Sequence, residues 1–573
     1  MRNRAAFTIF IVVAYVSVYI ATLGIRPLFE TDEFRYAQIA REILTSGDWV
    51  APHLNGLRYF EKPIFGHWLG AASLWLFGET NFAARLPAAL CTGLTGLFIC
   101  LFTRRFSGET LTGLFAAIIF LSSLAVFAFG TIDILDAILN LFLTLAIGMF
   151  FWAYAADNTR ERTLCLILAG VACGIAFLTK GFLALVVPVC IIAPFLIQRR
   201  EWSKLLTLAW LPLLFVIAVA LPWSIAIHLR EPDFWNYFFW EEHIRRFMAD
   251  NAQHARPFWF FLAAFPLLVF PWICYLPSAV AGLRKQPRSA GFVAFLLFWF
   301  VMPFLFFSAS SGKLLPYLLP CLPPFAILMA LGLRPKQGSP AAIVAPRATV
   351  ALLVILLASI VFLLLNASGV AGSPFFDNTE TTRLTSLIGA LAIGCLICAT
   401  ILIRKPRATP IWIPAAAMLA LYLTVPAIIP NSIRNSIMPA AFLTEHQALV
   451  DEDAIIISCG AFVSVAAWHF NRDDVYIYEG AGELSYGLSY PDAAGRFLDA
   501  DSLANLTVKH AGDKGLAIFC PGERAPADVV EDLHYPNAMN IRAGDRYSLI
   551  VLPKLQPGAE SNWPITDSAI SQK

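Results

Sequence analysis

Apolar runs near 20 residues long recur along this chain almost from end to end, and nothing else in it constrains the fold as strongly. Each run can cross ~30 Å of hydrocarbon as a helix rising ~1.5 Å per residue. Spans are predicted near 7–25, 86–103, 111–130, 137–155, 164–179, 182–198, 205–227, 258–282, 290–308, 314–333, 348–366, 384–403 and 411–430, thirteen in all. Hydrophobic residues make up 58% of the chain and charged ones 14%, and the mean hydropathy is +0.68. That balance excludes a soluble multidomain enzyme. The start, MRNR before an apolar run, has the form of a signal peptide, but no A-x-A-like cleavage site follows. An uncleaved first span is expected. Net charge is +2 and no basic cluster stands apart from the membrane flanks, so no nucleic-acid partner is expected.

Short basic clusters fall in alternate loops: Arg2 and Arg4; Arg104 and Arg105; Arg160 and Arg162; Arg199, Arg200 and Lys204; Arg284, Lys285 and Arg288; Arg334 and Lys336; Arg404, Lys405 and Arg407. The positive-inside rule places these, and the N-terminus, in the cytoplasm. An odd number of spans then puts the C-terminal segment outside. The apolar stretch 63–78 is too short to cross, since sixteen residues reach only about 24 Å. It is expected to be an interfacial helix, with Trp68 and Trp75 at headgroup level.

Against that background the segment Glu30 to Pro63, ETDEFRYAQIAREILTSGDWVAPHLNGLRYFEKP, is unusual. It carries six carboxylates and four fixed cations directly after a span. Charge beside a bilayer must be solvated, paired or put to use. Its first half predicts a helix from about Asp32 to Thr45, closed by Ser46-Gly47. Phe34, Ala37, Ala40 and Leu44 form an apolar stripe that would rest on the membrane. Asp32 and Glu33 sit at the helix N-terminus, where the dipole favours carboxylates. Capping needs only one acid, however, and here a Glu-Thr-Asp-Glu run leaves the span.

Further polar clusters fall on the same outer side: Asp133 and Asp136 at the entry of the fourth span, Lys180-Gly181 between the fifth and sixth, the loop 234–257 with Glu241, Glu242, His243, Arg245 and Arg246, and Ser311-Gly312-Lys313 with Tyr317 beyond. Cations placed against the positive-inside rule (Arg35, Arg41, Arg58, Lys62, Arg85, Lys180, Arg245, Arg246, Arg256 and Lys313) point to a phosphate-binding surface. Their scatter over many loops on one side implies one composite site. At the ends of spans, Asp136 and Lys180 escape most of the ~2.5–3.5 kcal/mol cost of a mid-bilayer charge by facing water or each other.

The organisation expected is a transmembrane domain over 1–430, with outer loops at about 26–85 and 228–257, and an α/β domain over 431–573. Runs at Ala454–Ile457, Val475–Tyr478, Leu516–Phe519 and Ser548–Leu552 read as strands, and Pro439–Val450 and Ala493–Ala500 as helical. The domain carries no phosphate loop or nucleophile elbow, so a supporting role is assigned to it. Nine of the eleven cysteines lie in or beside apolar runs. Cys459 and Cys520 do not, and two buried free thiols are expected there in preference to a disulfide.

The segment ETDEFRYAQIAREILTSGDWVAPHLNGLRYFEKP, with FFWEEHIRRFMADNAQHARPFWFF and SGKLLPYLLP, resembles the bacterial 4-amino-4-deoxy-L-arabinose transferases, of the protein O-mannosyltransferase-like superfamily of membrane glycosyltransferases. The resemblance runs over roughly residues 1 to 335. It implies the C-type glycosyltransferase fold, a multi-spanning α-helical membrane protein with about thirteen transmembrane helices and a C-terminal periplasmic α/β domain. It also implies a donor, aminoarabinose on undecaprenyl phosphate, at the outer leaflet of a bacterial inner membrane. The acceptor implied is a lipid A phosphate, transfer inverts the sugar carbon, and the product resists polymyxin. The superfamily's Asp-Glu pair maps to Asp32-Glu33, with Asp32 the leading catalytic candidate, Asp136 second and Glu33 beside them. Departures at Phe34 (Thr expected), Gln38 (Glu expected) and Leu315-Pro316 (Pro-Thr expected) are assigned to sugar specificity rather than reaction type.

The chemistry then distributes roles. A lipid phosphate leaving group needs cations on its oxygens. Lys62, Lys180 and Arg246 are the first choices, with Arg58 and Lys313 beside them. An acceptor phosphate is already ionised, so a strong general base is unnecessary. Asp32 is expected to orient the acceptor or to stabilise positive charge at C1. Tyr59, Tyr317 and Arg245 would wall the sugar and acceptor pocket. No cofactor is required, though Glu61 and His243 with a third ligand could hold a divalent cation such as zinc. The same machinery could serve glucosamine, galacturonate or mannose, or a protein or other glycolipid acceptor. A transporter for lipid-linked sugars would show charges on both faces and an inverted repeat, and neither is evident.

Overall fold

All thirteen apolar stretches are helical. The computed structural model describes residues 2–245, 254–284, 291–334, 340–404, 410–510, 513–532, 534–543 and 546–555. Among the described residues, eight helices are continuous and apolar enough to cross a bilayer: Asn81–Ser107, Leu135–Ala155, Thr159–Lys180, Ser203–Arg230, Phe292–Ala309, Leu315–Leu333, Pro346–Ala367 and Thr381–Arg404. Phe7–Ile20 and Leu183–Gln198 are shorter. Two stretches are broken. Thr110–Leu121 and Leu124–Gly130 meet at 65°, and Phe260–Leu268 and Trp272–Leu283 at 94°. Ile413–Ala427 completes the set.

The chain divides into two compact units. The first holds Met1–Arg26, Lys62–Gly66 and Arg85–Pro430; the second holds Pro27–Glu61, His67–Ala84 and Asn431–Lys573.

In the first unit, close packing follows from small residues. Gly170 and Gly174, one turn apart in Thr159–Lys180, lie against Pro212 and Val219 of Ser203–Arg230, where a Cβ would not fit. Gly282 and Gly332 let Leu276–Leu283 and Leu322–Leu333 approach backbone to backbone in the same way. The broken stretches satisfy each other's exposed backbone groups, as apolar surroundings require. The Leu124 N–H donates to the Phe270 carbonyl at 2.9 Å. Trp272 Nε1 donates to Ser122 Oγ at 3.0 Å, and the Tyr422 hydroxyl to the Ser122 carbonyl at 2.9 Å.

Contacts between loops sort the unit into two ends. At one, Arg105 pairs with Glu161 at 3.5 Å, the Tyr154 hydroxyl donates to Glu201, and Arg334 pairs with Glu109. At the other, Arg26 donates to the Thr131 carbonyl at 3.1 Å, Lys180 pairs with Asp136, and Ala255 bridges to Gly312. These are the two sets that the alternating basic clusters predict. The 94° break at Val269–Pro271 does not stop the crossing: Ala255 sits by Gly312 and Gly282 by Gly332, so the broken stretch runs alongside Leu315–Leu333.

The second unit is built on a six-stranded mixed sheet. Its strands are β3 (Ile455–Cys459), β4 (Tyr476–Tyr478), β5 (Phe497–Leu498), β6 (Leu516–Cys520), β7 (Met539–Ala543) and β8 (Tyr547–Leu552), in the order β5-β4-β3-β6-β8-β7. β3, β4, β5 and β6 are parallel, and β8 runs antiparallel to β6 and β7. A two-stranded hairpin, β1 (His53–Leu54) and β2 (Leu57–Arg58), belongs to the same unit. The strands alternate strictly between two faces. Ile455, Ile457, Ile518 and Ile550 pack with Leu503, Val530 and Tyr535. Ile456, Ala517, Phe519 and Leu549 pack instead with Leu28, Phe34, Ala37 and Ala84.

That second core corrects the reading of the first loop. The helix Asp32–Ser46 forms where expected and ends at Gly47 with φ 70°. It does not rest on the membrane by its stripe; Phe34, Ala37 and Ala40 are buried, as are Gln38, Arg41 and Glu42 on the other sides. Arg41 caps the helix Val463–Phe470, donating to the Ala467 carbonyl at 2.7 Å and the Trp468 carbonyl at 3.1 Å. Asn55 exchanges hydrogen bonds of 2.7 and 2.9 Å with the Val475 backbone.

Two expectations in the C-terminal segment also change. Residues 493–500 are a turn and a short strand rather than a helix, and the helix follows at Ala500–His510. Cys459 and Cys520 are joined in a disulfide, with Cα atoms 4.9 Å apart. They end adjacent parallel strands in register, which brings their Cβ atoms into bonding range. Pairing across strands could not be read from spacing.

Candidate active site

Asp32 opens its helix with its side chain 59% exposed. One oxygen meets Arg35 Nη1 at 3.1 Å, the geometry of neighbours three apart on a helix. Arg35 is nearly buried and its other two nitrogens are engaged. Nε meets Glu483 at 3.0 Å and Nη2 reaches Thr31 Oγ1 at 3.4 Å. The same Glu483 oxygen accepts from the Tyr59 hydroxyl at 3.2 Å. Burial alone would lower the Arg35 pKa, but Tyr59, Glu483, Tyr36 and Asp32 raise it well above its ordinary value. Burial also raises the Tyr59 phenol, with Glu483 adding to the effect. The result is a chain of contacts, Asp32–Arg35–Glu483–Tyr59, ending in one open carboxylate.

Glu33 behaves differently. It is buried, and its carboxylate accepts the Phe29 N–H at 2.8 Å, so Asp32 is the open member of the acid pair. Tyr59 is completely buried; it supports Glu483 and cannot wall an open pocket. Arg58 is turned into the unit, 2.6 Å from Asp492 and with its guanidinium 4.2 Å from the centre of the Tyr490 ring, which takes it out of the phosphate set. Arg85 is buried and donates to the Leu23 and Arg26 carbonyls at 2.7 and 2.8 Å. Like Arg41, it satisfies helix ends rather than a ligand.

In the first unit, Asp136 begins the helix Leu135–Ala155 and Lys180 ends Thr159–Lys180. Lys180 Nζ lies 2.7 Å from both Asp136 oxygens, and each side chain is 15% exposed. The ammonium is 5.4 Å from the Tyr317 ring centre, a cation–π distance. Lys313 is buried, with Nζ donating to the carbonyls of Arg256 (3.0 Å) and Ser310. Burial lowers its pKa, and among the described residues no carboxylate forms an ion pair with it. Such a lysine, solvated by carbonyl dipoles alone, gains from an arriving anion. Lys62 is half-buried in the same unit.

Glu61 is buried. His243 and Arg245 lie on the helix Asn236–Arg245, but their side chains fall outside the described residues, as does Arg246 entirely. Among the described residues no group of three His, Cys, Asp or Glu side chains could hold a metal ion.

The profile of the dolichyl-phosphate-mannose-protein mannosyltransferase family matches residues 5–238, and that of the arabinosyl transferase ArnT C-terminal domain matches 434–551. The undecaprenyl phosphate-alpha-4-amino-4-deoxy-L-arabinose arabinosyl transferase of Edwardsiella ictaluri is 38% identical over 522 residues, covering 90% of this chain and 94% of that one. Its counterpart from Pectobacterium atrosepticum is 36% identical over 551 residues, covering 96% and 98%. The chain belongs to this arabinosyl transferase family. The crystal structure of ArnT from Cupriavidus metallidurans bound to undecaprenyl phosphate superposes with a TM-score of 0.80 at 21% identity, over 96% of this chain and 99% of that one. The apo structure gives 0.79. At that identity the likeness concerns the fold, and the fold is that of this family of multi-span membrane proteins.

Two departures from the family pattern acquire a physical explanation. Phe34 is a core residue of the second unit. Gln38 is fully buried, its amide donating to Glu42 at 2.6 Å and to the Arg472 carbonyl at 3.0 Å while its oxygen accepts from Arg41. Both are packing positions in the second unit. Glu483, by contrast, carries no sequence signal; it sits in a Gly-rich turn some 450 residues from the acid it serves.

Proposed function

We propose that this arabinosyl transferase moves 4-amino-4-deoxy-L-arabinose from undecaprenyl phosphate to a phosphate of lipid A, at the periplasmic face of a bacterial inner membrane. The observation that carries the reading is Asp32: the acid that follows the first span is the one carboxylate of its network left open to a ligand, at 59% exposure. The acceptor phosphate arrives ionised, so Asp32 orients it or stabilises charge developing at C1 and need not remove a proton. Lys62, Lys313 and Arg246 neutralise the departing lipid phosphate, while Lys180 is already committed to Asp136. Lys313 suits that task because it carries no carboxylate partner among the described residues, and Tyr317 lies against Lys180.

Two independent features support a periplasmic site. The basic clusters at 104–105, 160–162, 199–204 and Arg334 share one end of the first unit, and the positive-inside rule assigns that end to the cytoplasm. The Cys459–Cys520 disulfide fits an oxidising compartment. Both features are those expected if residues 431–573 fold outside the membrane as an α/β domain. Transfer to lipid A turns a phosphate monoester into a diester that carries an ammonium, which lowers the net negative charge and weakens attraction for polymyxin.

Mass spectrometry of lipid A from cells with and without the gene tests this. Deletion is expected to remove a pentosamine increment. Loss of a hexosamine increment instead, or an unchanged profile, would overturn the assignment of sugar and acceptor.

A further inference from the structure

Glu483 is delivered to Arg35 by a segment clamped from two sides. After β4 the chain turns through Glu479, Gly480 and Gly482, all at positive φ (50°, 63° and 53°). The Gly480 carbonyl packs directly on Gly460, where a Cβ would not fit. Beyond Glu483, the short helix Ser485–Leu488 sits on β2, and a Cβ on Gly487 would come within 2.6 Å of the Arg58 carbonyl oxygen. Tyr486 packs on Phe60 at 5.8 Å, and Tyr490 and Asp492 hold Arg58. The turn is therefore fixed at the carboxyl ends of the parallel strands, the edge where α/β sheets present functional groups. Its Oε2 takes both Arg35 Nε and the Tyr59 hydroxyl.

Arg35 has a planar fork that can grip a carboxylate through two parallel hydrogen bonds. Here it does not grip Asp32 that way. Nε is held by Glu483 and Nη2 is directed at Thr31, so only Nη1 reaches Asp32. We infer that Glu483 is a positioning residue for the transfer: by holding Arg35 Nε it fixes the orientation of the guanidinium, with Nη2 toward Thr31 and Nη1 alone on Asp32, and so keeps that carboxylate directed at the substrate. The C-terminal segment thereby contributes to the reaction itself. The charged and titratable groups facing this pair are Asp32, Tyr36, Tyr59 and, beside Tyr59, Glu61. The inference rests on the role proposed for Asp32.

Kinetics of the purified full chain in lipid vesicles, with a polyprenyl-phosphate aminosugar donor and lipid A, decide it. Glu483→Gln keeps the shape and removes the charge. Its kcat is expected to fall roughly 10- to 100-fold, with donor KM changed less than about twofold. In an Arg35→Gln background the same change should cost nothing further, because both act through one guanidinium. A merely structural role would give losses that multiply. Should Glu483→Gln not fold, Glu483→Asp is measured in its place, with reduced kcat and the same lack of further loss expected. Wild-type kcat in a folded Glu483 variant, or losses that multiply with Arg35→Gln, overturns the inference. Full activity of Asp32→Asn would instead remove the reading beneath it, so the two failures are distinguishable.

Discussion

Asp32 and Asp136 both start a helix and both meet a cation, yet they have opposite capacities. Asp32 is 59% exposed and shares its arginine with Glu483 through a single 3.1 Å contact. Asp136 is 15% exposed, and both its oxygens lie 2.7 Å from Lys180. The helix dipole favours an acid at either position and does not distinguish them. What distinguishes them is whether the cation has a competing partner. A shared cation leaves the acid able to act on a ligand, whereas a dedicated one closes the pair and neutralises it.

The contrast can be broken by substitution. Asp32→Asn should lower kcat by about 10²- to 10⁴-fold, the range for a group acting on developing charge, while thermal unfolding changes by less than about 0.5 kcal/mol. A large loss of stability would mean that Asp32 is structural after all. Lys180→Met should do the reverse in kind, destabilising the fold by up to about 3 kcal/mol because Asp136, largely shielded from solvent, is left without its cation. Adding Asp136→Asn should recover most of that stability, as read from thermal unfolding in detergent. If the double variant unfolds as readily as the single one, the pair is not the closed unit described.

The two units also differ in how they are held together. Reducing the Cys459–Cys520 bond, or making Cys459→Ala, should cost the second unit about 2–4 kcal/mol, measured as a fall in its melting temperature. A smaller effect separates Asp32 from an acid ten residues further along its own helix. Glu42 is buried and accepts hydrogen bonds from the Asn55 and Gly56 N–H groups at 2.7 and 2.9 Å. Burial outweighs those bonds and raises its pKa from 4.5 to about 7. Between those pH values the folded state binds more protons than the unfolded one, so stability should fall as pH rises from 4.5 towards 7 and then level off. Glu42→Gln should flatten that slope in melting temperatures recorded across the same range.

Much of this was legible in the sequence, because the controlling signals are local. Apolar length marks every membrane helix, and the basic clusters separate the two ends of the first unit. The Glu-Thr-Asp-Glu run marks Asp32. What escaped depends on partners distant in the chain. The stripe Phe34, Ala37 and Ala40 correctly announces a buried helix face, but periodicity cannot say that the face meets a sheet more than 400 residues away rather than lipid. Tyr59 and Arg58 look like pocket residues beside Lys62 until residues 483–492 fold over them. The same distance hid the Cys459–Cys520 pairing and Glu483.

The most direct test of the account is single-turnover transfer by the vesicle-reconstituted protein, comparing the wild type with Asp32→Asn and using aminoarabinosyl undecaprenyl phosphate as donor and lipid A as acceptor. The account predicts a pentosamine increment on lipid A for the wild type and almost none for a folded Asp32→Asn protein. An Asp32→Asn protein that transferred the sugar at the normal rate would contradict it.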